Sequence, residues 1–401
     1  MSSCLTIFCS LLISFSSMRI GLDGFPLAMP RTGIGHYTFE LARALALLST
    51  TDDFELISPL AFDASVLEEL QDSGSPSNLS TVNPDRTRFS KRWWSIGLPL
   101  YLRRAQLDLF HGTNYEGPLW NRSATIVTIH DLSLLLHADK HEERLARRAR
   151  RRLPVAARSS VMIITATESV KREICEHLCV RPERIAVTPY APRRSFRPVP
   201  LEQTIETRRR LGIEDEFILF VGTIEPRKNL LTLVRAFEEI LRHTALRPQL
   251  VIVGREGWLN SDLHSFIERS GIRERLLLTG YVPEADLAAL YSSCRVCVYP
   301  SLYEGFGLPP LEAMACGAPV ITSNIPTIVE TVEASARLVA PTDTRALASA
   351  IIELLGDEAE RRHLSSAGLQ RAAQFSWERT ARQTMDVYRE ALERKKRIKL
   401  Q

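Results

Sequence analysis

Residues 296–317 read VCVYPSLYEGFGLPPLEAMACG. The first four are apolar, aromatic or β-branched and predict a strand, Val296–Tyr299, buried on both faces. A loop follows in which Gly305 and Gly307 let the backbone turn sharply and approach a ligand closely. Pro310 suits the first turn of a helix. That helix is expected over Leu311–Cys316, ending at Gly317. Strand, glycine turn and helix in this order make one unit of an α/β fold. The helix start, with its free N–H groups and dipole, favours an anion, most simply a phosphate.

The same alternation extends in both directions. Phe217–Val221, Leu250–Val253, Leu276–Thr279, Val320–Thr322 and Arg337–Val339 read as further strands of one series. Arg19–Leu22, Phe54–Ser58, Leu107–His111, Thr125–Ile129, Met162–Thr165 and Val187–Pro189 form an earlier one. Amphipathic helices fit between them, as over His36–Leu48 and Ser169–Leu178. Residues 71–90, rich in Ser, Asn, Asp and Pro, read as a loop. Strands alternating with helices imply parallel sheets. Four prolines between Pro189 and Pro200 mark a stiff connection between the two series. The fold class is therefore α/β, with two doubly wound domains. Ligands of such sheets bind beyond the carboxyl ends of the strands, which places the site in the cleft between the domains.

A chain of 401 residues accommodates two such domains. Hydrophobic residues at 45% and charged residues at 24% exclude a disordered chain and a polytopic membrane protein. A net charge of +4 is too small for a dedicated nucleic-acid binder, so no nucleic acid is expected as a partner. Seven cysteines, with a single Cys294-x-x-Cys297 inside a strand pattern, read as buried free thiols rather than a zinc site. Residues 1–17 carry an apolar run of about eleven residues, too short to span a bilayer. They read as a mis-called start, with translation beginning at Met18, ahead of two leader readings, a weak membrane anchor and a poor signal peptide.

Several residues at strand ends carry chemistry. Glu304 and Glu312 are eight apart, and with a glycine turn between them both are expected to reach one pocket, where carboxylates suit sugar hydroxyls. Arg227 and Lys228 follow the strand Phe217–Val221 and suit a diphosphate, the first by a fork of donors, the second as a point charge. Gly33 and Gly35, in a loop ahead of the helix His36–Leu48, would turn backbone amides toward the same ligand. His130 and Asp131 end the strand Thr125–Ile129; the imidazole can donate to a hydroxyl or phosphate, and Asp131 can orient it or cap the next helix. His111, Asn114 and Asp131 are candidates for the acceptor side.

Glu304-x7-Glu312 with its glycines resembles the donor-site signature of the retaining family 4 glycosyltransferases (glycosyltransferase group 1), which have the GT-B fold. Supporting segments are Gly33-Ile34-Gly35-His36-Tyr37, Thr128-Ile129-His130-Asp131-Leu132, Leu219 to Asn229, Leu278-Thr279-Gly280-Tyr281-Val282 and Phe375-Ser376-Trp377-Glu378. The resemblance covers most of the chain from Met18. It implies an acceptor-side domain over 18–195, a nucleotide-sugar-binding domain over 196–375, and a C-terminal helix, about 376–395, crossing back to the first domain. It implies catalytic roles for Glu304, His130, Arg227 and Lys228. It implies donor contacts from Gly33, Gly35, Gly305, Phe306, Gly307, Leu308 and Glu312. Around Ile325–Ala336 the chain departs from the family pattern, which leaves Glu330 outside the expected set.

The expected activity is transfer of a hexose, with retention, from a nucleoside-diphosphate sugar to a hydroxyl of a growing or lipid-linked glycan. Val221–Asn229 resembles members acting on mannose in surface polysaccharide synthesis, so GDP-mannose is placed ahead of a UDP-hexose as donor. No Asp-x-Asp stands out, and Arg227 and Lys228 can neutralise the diphosphate, so no cofactor and no required metal are expected. The expected location is the cytoplasm, with peripheral contact to the inner face of the membrane. Arg144, Arg147, Arg148, Arg150, Arg151, Arg152 and Arg158 form a basic helical stretch that would suit an anionic membrane surface. The alternatives are a nucleotide-sugar epimerase or hydrolase, and a non-catalytic glycan-binding protein on the same fold. A nicotinamide dehydrogenase is disfavoured, because Gly33-Ile-Gly35-His-Tyr-Thr38 lacks a third glycine.

Overall fold

The computed structural model describes residues 17–29, 31, 33–71, 74–84, 92–120, 123–258 and 261–400, without the side chains of 398–400. Residues 1–16, on which the leader expectation falls, lie outside that set. Two parallel sheets form the frame. The first has seven strands: β1 Arg19–Asp23, β2 Asp53–Ile57, β3 Leu79–Val82, β4 Leu109–Gly112, β5 Ala124–Thr128, β6 Met162–Thr165 and β7 Ile185–Val187, in the order β3-β2-β1-β4-β5-β6-β7. The second has six: β8 Phe217–Val221, β9 Gln249–Val253, β10 Leu276–Gly280, β11 Val296–Tyr299, β12 Val320–Ser323 and β13 Arg337–Val339, in the order β10-β9-β8-β11-β12-β13.

The central strands are continuous apolar runs because helices cover both faces; β5, β9 and β11 are buried throughout. In each sheet the direction of winding reverses once, between β1 and β4 and between β8 and β11. A crevice opens beyond the carboxyl ends at such a reversal. The segments leaving β1, β4, β8 and β11 are therefore the ones that can build a site. They contain Asp23, Asn114, Arg227, Lys228 and Glu304.

Three expectations are corrected. The stretch 71–90 is not all loop: its residues 79–82 form β3, paired with β2. This is a short edge strand with two polar residues, Ser80 and Thr81, so it carries little apolar periodicity. The helix expected from His36 starts earlier and spans Gly33–Leu48. The helix expected from Leu311 spans Leu308–Ala315, with Gly307 as N-cap at φ 87°.

The C-terminal helix, Trp377–Leu400, returns to the first domain. Trp377 Nε1 donates to the Pro192 carbonyl at 3.1 Å, and Thr380 Oγ1 to that of Pro189 at 2.6 Å. One apolar cluster runs through both domains and this helix, with Tyr37, Tyr190, Phe306 and Trp377 where they meet. The described cysteines are free, with Cys294, Cys297 and Cys316 buried. Among the described residues no helix is long and apolar enough to cross a membrane.

Candidate active site

Beyond β8 the chain makes a short turn over Pro226–Lys228 and enters the next helix through Asn229, held at φ 59°. Asn229 Nδ2 donates to the carbonyls of Pro300 at 2.9 Å and Pro341 at 2.6 Å. The Leu302 amide donates to the Arg227 carbonyl at 2.9 Å. These bonds tie the segment after β8 to the segment after β11. They bring Arg227 and Lys228 onto Glu304.

Glu304 is 7% exposed and fully engaged. Its Oε1 accepts from Lys228 Nζ at 2.7 Å and from the Tyr299 hydroxyl at 3.1 Å; its Oε2 accepts from Arg227 Nη1 at 3.0 Å. Burial works to raise the Glu304 pKa, but Lys228 and Arg227 outweigh it and hold it down to about 2. Arg227 also donates to Glu225 at 2.7 Å. Burial opposes its charge. Glu304, then Asp131 of the first domain, then Glu225 more than restore it. Two cations thus face two carboxylates in a desolvated cluster at the switch point of the second sheet.

Glu312 lies elsewhere. It is 3% exposed and accepts from Arg193 Nε at 2.9 Å and Nη2 at 3.2 Å. Arg193 belongs to the proline-rich connection, and its Nη1 also donates to Glu284 at 3.0 Å. The same nitrogen lies 3.3 Å from His36 Nε2. Glu304 and Glu312 share no hydrogen-bond partner among the described residues. The two carboxylates thus answer different cations, Glu304 those after β8 and Glu312 that of the connection between the domains.

The first domain meets the loop after β11 closely. A Cβ on Gly305 would lie 2.0 Å from the His130 carbonyl oxygen, so only glycine fits. The Leu132 amide donates to the Tyr303 hydroxyl at 3.0 Å, and Thr167 Oγ1 to the Gly305 carbonyl at 3.0 Å. Glu330, outside the expected set, accepts from the amides of Glu168 at 2.6 Å and Ser169 at 3.1 Å and so caps a first-domain helix.

His130 faces inward. Its Nε2–H donates to the Thr113 carbonyl at 2.8 Å, an acceptor that sets the tautomer. Nδ1 then accepts from the Tyr190 hydroxyl at 2.7 Å. Burial lowers its pKa to about 4, so the ring is neutral. Both nitrogens are spent inside the first domain, which corrects the expected donation to a sugar or phosphate; its backbone carbonyl is what meets the other domain. Asp131 Oδ1 caps the following turn through the Ser133 amide at 2.8 Å. His111 is corrected from acceptor side to core. Its ring lies between Thr128 Oγ1 and the Tyr388 hydroxyl, each at 2.7 Å. Asn114 and Asp131 line a cavity of 240 Å³ in the first domain, with Phe25, Trp94 and Tyr115.

The donor-side residues divide by role. Gly33 and Gly35 form the first turn of their helix rather than a preceding loop, beside Arg193 through His36. Phe306 packs against Tyr190 and Phe375 at ring distances of 5.1 and 5.8 Å, and Leu308 packs on the core. Pro309 and Pro310 remove two amides from the first turn of the helix that Gly307 caps. That helix end is accordingly a weaker anion site than expected.

The family model described as Glycosyltransferase Family 4 matches residues 31–191, and that described as Glycosyl transferases group 1 matches residues 203–371. The chain is 30% identical over 384 residues to the O-antigen chain mannosyltransferase B of Escherichia coli, covering 93% of this chain and 100% of that one. The chain belongs to the family 4 glycosyltransferases. The serotype-specific mannosyltransferase WbdA of Escherichia coli is 32% identical to this glycosyltransferase over 244 residues, covering 59% of the chain and 29% of WbdA. The fold is GT-B. Sucrose-phosphate synthase from Thermosynechococcus elongatus superposes with a TM-score of 0.73 at 23% identity, covering 93% and 98% of the two chains. Anabaena HepE, in complex with UDP and glucose, superposes with a TM-score of 0.72 at 19% identity, covering 93% and 100%.

In this glycosyltransferase, sequence reasoning missed Arg193, Tyr299 and Tyr303. Arg193 carries no local signal, since it is one arginine among many in a connection read only for its prolines. Tyr299 and Tyr303 stand inside the quoted stretch, but a tyrosine after a strand reads equally as packing.

Proposed function

We propose that this glycosyltransferase moves mannose from GDP-mannose to a hydroxyl of a surface-polysaccharide glycan, free or lipid-linked, with retention at the anomeric carbon. The observation that carries the reading is the cluster of Arg227, Lys228 and Glu304 at the β8/β11 switch point. Cleavage of the sugar–phosphate bond develops negative charge on the leaving diphosphate. Arg227 and Lys228, held in a desolvated site, stabilise that charge. Glu304 keeps both cations aimed and offsets the burial that opposes their charge. We assign it that positioning role rather than attack on the anomeric carbon, because both its oxygens are occupied by Lys228, Tyr299 and Arg227. The leaving phosphate itself takes the acceptor proton on the same face. The two cations supply the charge neutralisation, so the reaction is proposed to need no metal. Mannose is supported by the similarity to the O-antigen mannosyltransferase along the whole of that chain. The work would be done at the cytoplasmic face of the membrane, where such an acceptor would be displayed.

Calorimetric titration of the chain with GDP, UDP, GDP-mannose and UDP-glucose tests this reading, with Lys228→Ala alongside. Preference for the guanine nucleotides, weakened about tenfold or more by Lys228→Ala, is expected. Preference for UDP compounds overturns the donor. Binding of none of them by folded protein overturns the function.

A further inference from the structure

Glu330 stands on the helix Pro326–Val332, outside the residues expected at the site. That helix is bonded to the loop after β11 at two points. Thr327 Oγ1 donates to the Glu304 carbonyl at 2.7 Å, and Thr331 Oγ1 to the Phe306 carbonyl at 2.5 Å. Between them Ile328 fills the space beside Gly307, where a Cβ would lie 2.3 Å from its Cδ1. Arg371 steadies the far end of the helix, donating to the Thr331 carbonyl at 2.8 Å and to that of Glu330 at 2.9 Å. The loop 304–307 is thus moulded on this helix.

The same residue reaches into the first domain. Besides the amides of Glu168 and Ser169, its carboxylate accepts from the Ser169 hydroxyl at 3.1 Å. These groups open the helix Glu168–Leu178. That helix has a cap of its own, since Thr167 Oγ1 accepts from the Val170 amide at 3.2 Å. The Thr167 hydroxyl in turn donates to the Gly305 carbonyl. A carboxylate at a helix start is stabilised by the free amides and the helix dipole, and here the other domain supplies it. The loop 304–307 is therefore held on one side by the helix that carries Glu330 and on the other by the helix start that Glu330 caps. Glu330 is half-buried, beside a cavity of 310 Å³ walled by both domains and the last helix. Polar contacts between domains are the ones that open and close.

We propose that Glu330 is a positioning residue for the transfer. By capping the first-domain helix it clamps the loop 304–307 between the domains. That fixes the donor cluster relative to the first domain, from which the acceptor hydroxyl comes. Arg227, Lys228 and Tyr299, which hold Glu304, all belong to the second domain. Nucleotide binding therefore survives without the clamp, and what is lost is alignment of the two substrates. The kinetic part of the inference rests on the mannosyl-transfer reading.

Amide hydrogen exchange of the full chain, read by mass spectrometry, tests the clamp, with Glu330→Ala and Glu330→Gln beside the parent protein. Thermal unfolding confirms the fold of both variants. In Glu330→Ala, exchange in the segments 168–172 and 303–308 is expected to quicken together, by about tenfold. Glu330→Gln keeps one accepting oxygen without the charge and should fall between. Turnover is measured with GDP-mannose as donor and methyl α-mannoside as acceptor. There kcat should fall about tenfold in Glu330→Ala, with the KM for GDP-mannose within about twofold, and Glu330→Gln should recover part of the loss. Faster exchange in 168–172 alone, with turnover unchanged, makes Glu330 an ordinary helix cap and overturns the proposal. A KM that rises as kcat falls assigns Glu330 to support of the donor pocket and overturns it as well. If the parent protein turns over no GDP-mannose, the mannosyl-transfer reading fails. The joint response of the two segments still decides the clamp.

Discussion

Arg193 grips both oxygens of Glu312, at 2.9 and 3.2 Å, and so ties the connection between the domains to the helix Leu308–Ala315. The pair is buried, and burial raises the Glu312 pKa while Arg193 holds it back. Removing Arg193 leaves a carboxylate without its cation. Arg193→Ala is expected to cost about 3–5 kcal/mol in urea unfolding at neutral pH. An acid whose folded pKa is raised is least costly when protonated. The deficit should therefore shrink as the pH falls from neutral toward the ordinary glutamate range. A deficit that stays constant across that range would show that Glu312 is not what Arg193 stabilises.

Glu304 gives the opposite sign. Its pKa is depressed from 4.5 to about 2, so its contribution is fully present above 4.5 and is lost as the pH falls toward 2. The contribution is on the order of 3 kcal/mol. Glu304→Gln is expected to flatten the acid limb of the stability profile. It is also expected to reduce hexosyl transfer by at least about a hundredfold, because Arg227 and Lys228 lose the group that aims them. An unchanged acid limb in the variant would assign the acid sensitivity to other carboxylates.

Gly305 is a steric test of closure. A methyl group there meets the His130 carbonyl at 2.0 Å, and that oxygen is backbone. Gly305→Ala should hold the domains apart, leave nucleotide affinity within about twofold, and abolish transfer. Small-angle scattering should report a larger radius of gyration. A variant of unchanged size and activity would mean that the contact between the domains is not part of the working state.

Tyr388 and His111 bind the last helix to β4. Tyr388→Phe removes the partner of a buried ring nitrogen, which costs about 1–3 kcal/mol. Nucleotide binding in the second domain should be unaffected. The two effects are read by thermal unfolding and by GDP titration. A loss of GDP affinity matching the loss of stability would contradict the separation of roles.

The strands of both sheets were legible because buried parallel strands are written as apolar runs, as in Phe217–Val221 and Met162–Thr165. β3 was not, since a polar edge strand such as Leu79–Val82 shows neither run nor alternation. The Arg227, Lys228 and Glu304 cluster followed from chemistry at strand ends, each residue standing just past an apolar run. His111 and His130 stand at the same kind of position. There the sequence does not show that Tyr388 and Tyr190, 277 and 60 residues away, already occupy their nitrogens. The partner of Glu312 was hidden for the same reason, because Arg193 is 119 residues distant. What short spacing cannot encode is which side chains are already taken.

The last helix has a consequence for biosynthesis. The first domain is made first, yet His111 in its central strand gains its Tyr388 partner only when the helix that carries Tyr388 has left the ribosome. Until then the groove that the helix fills, lined by Tyr37 and Tyr190, is uncovered apolar surface on a nascent chain. Covering of the amino-terminal half thereby waits for the helix Trp377–Leu400. A message cut short would yield a half that cannot mature by itself and is left to the cell's chaperones and proteases.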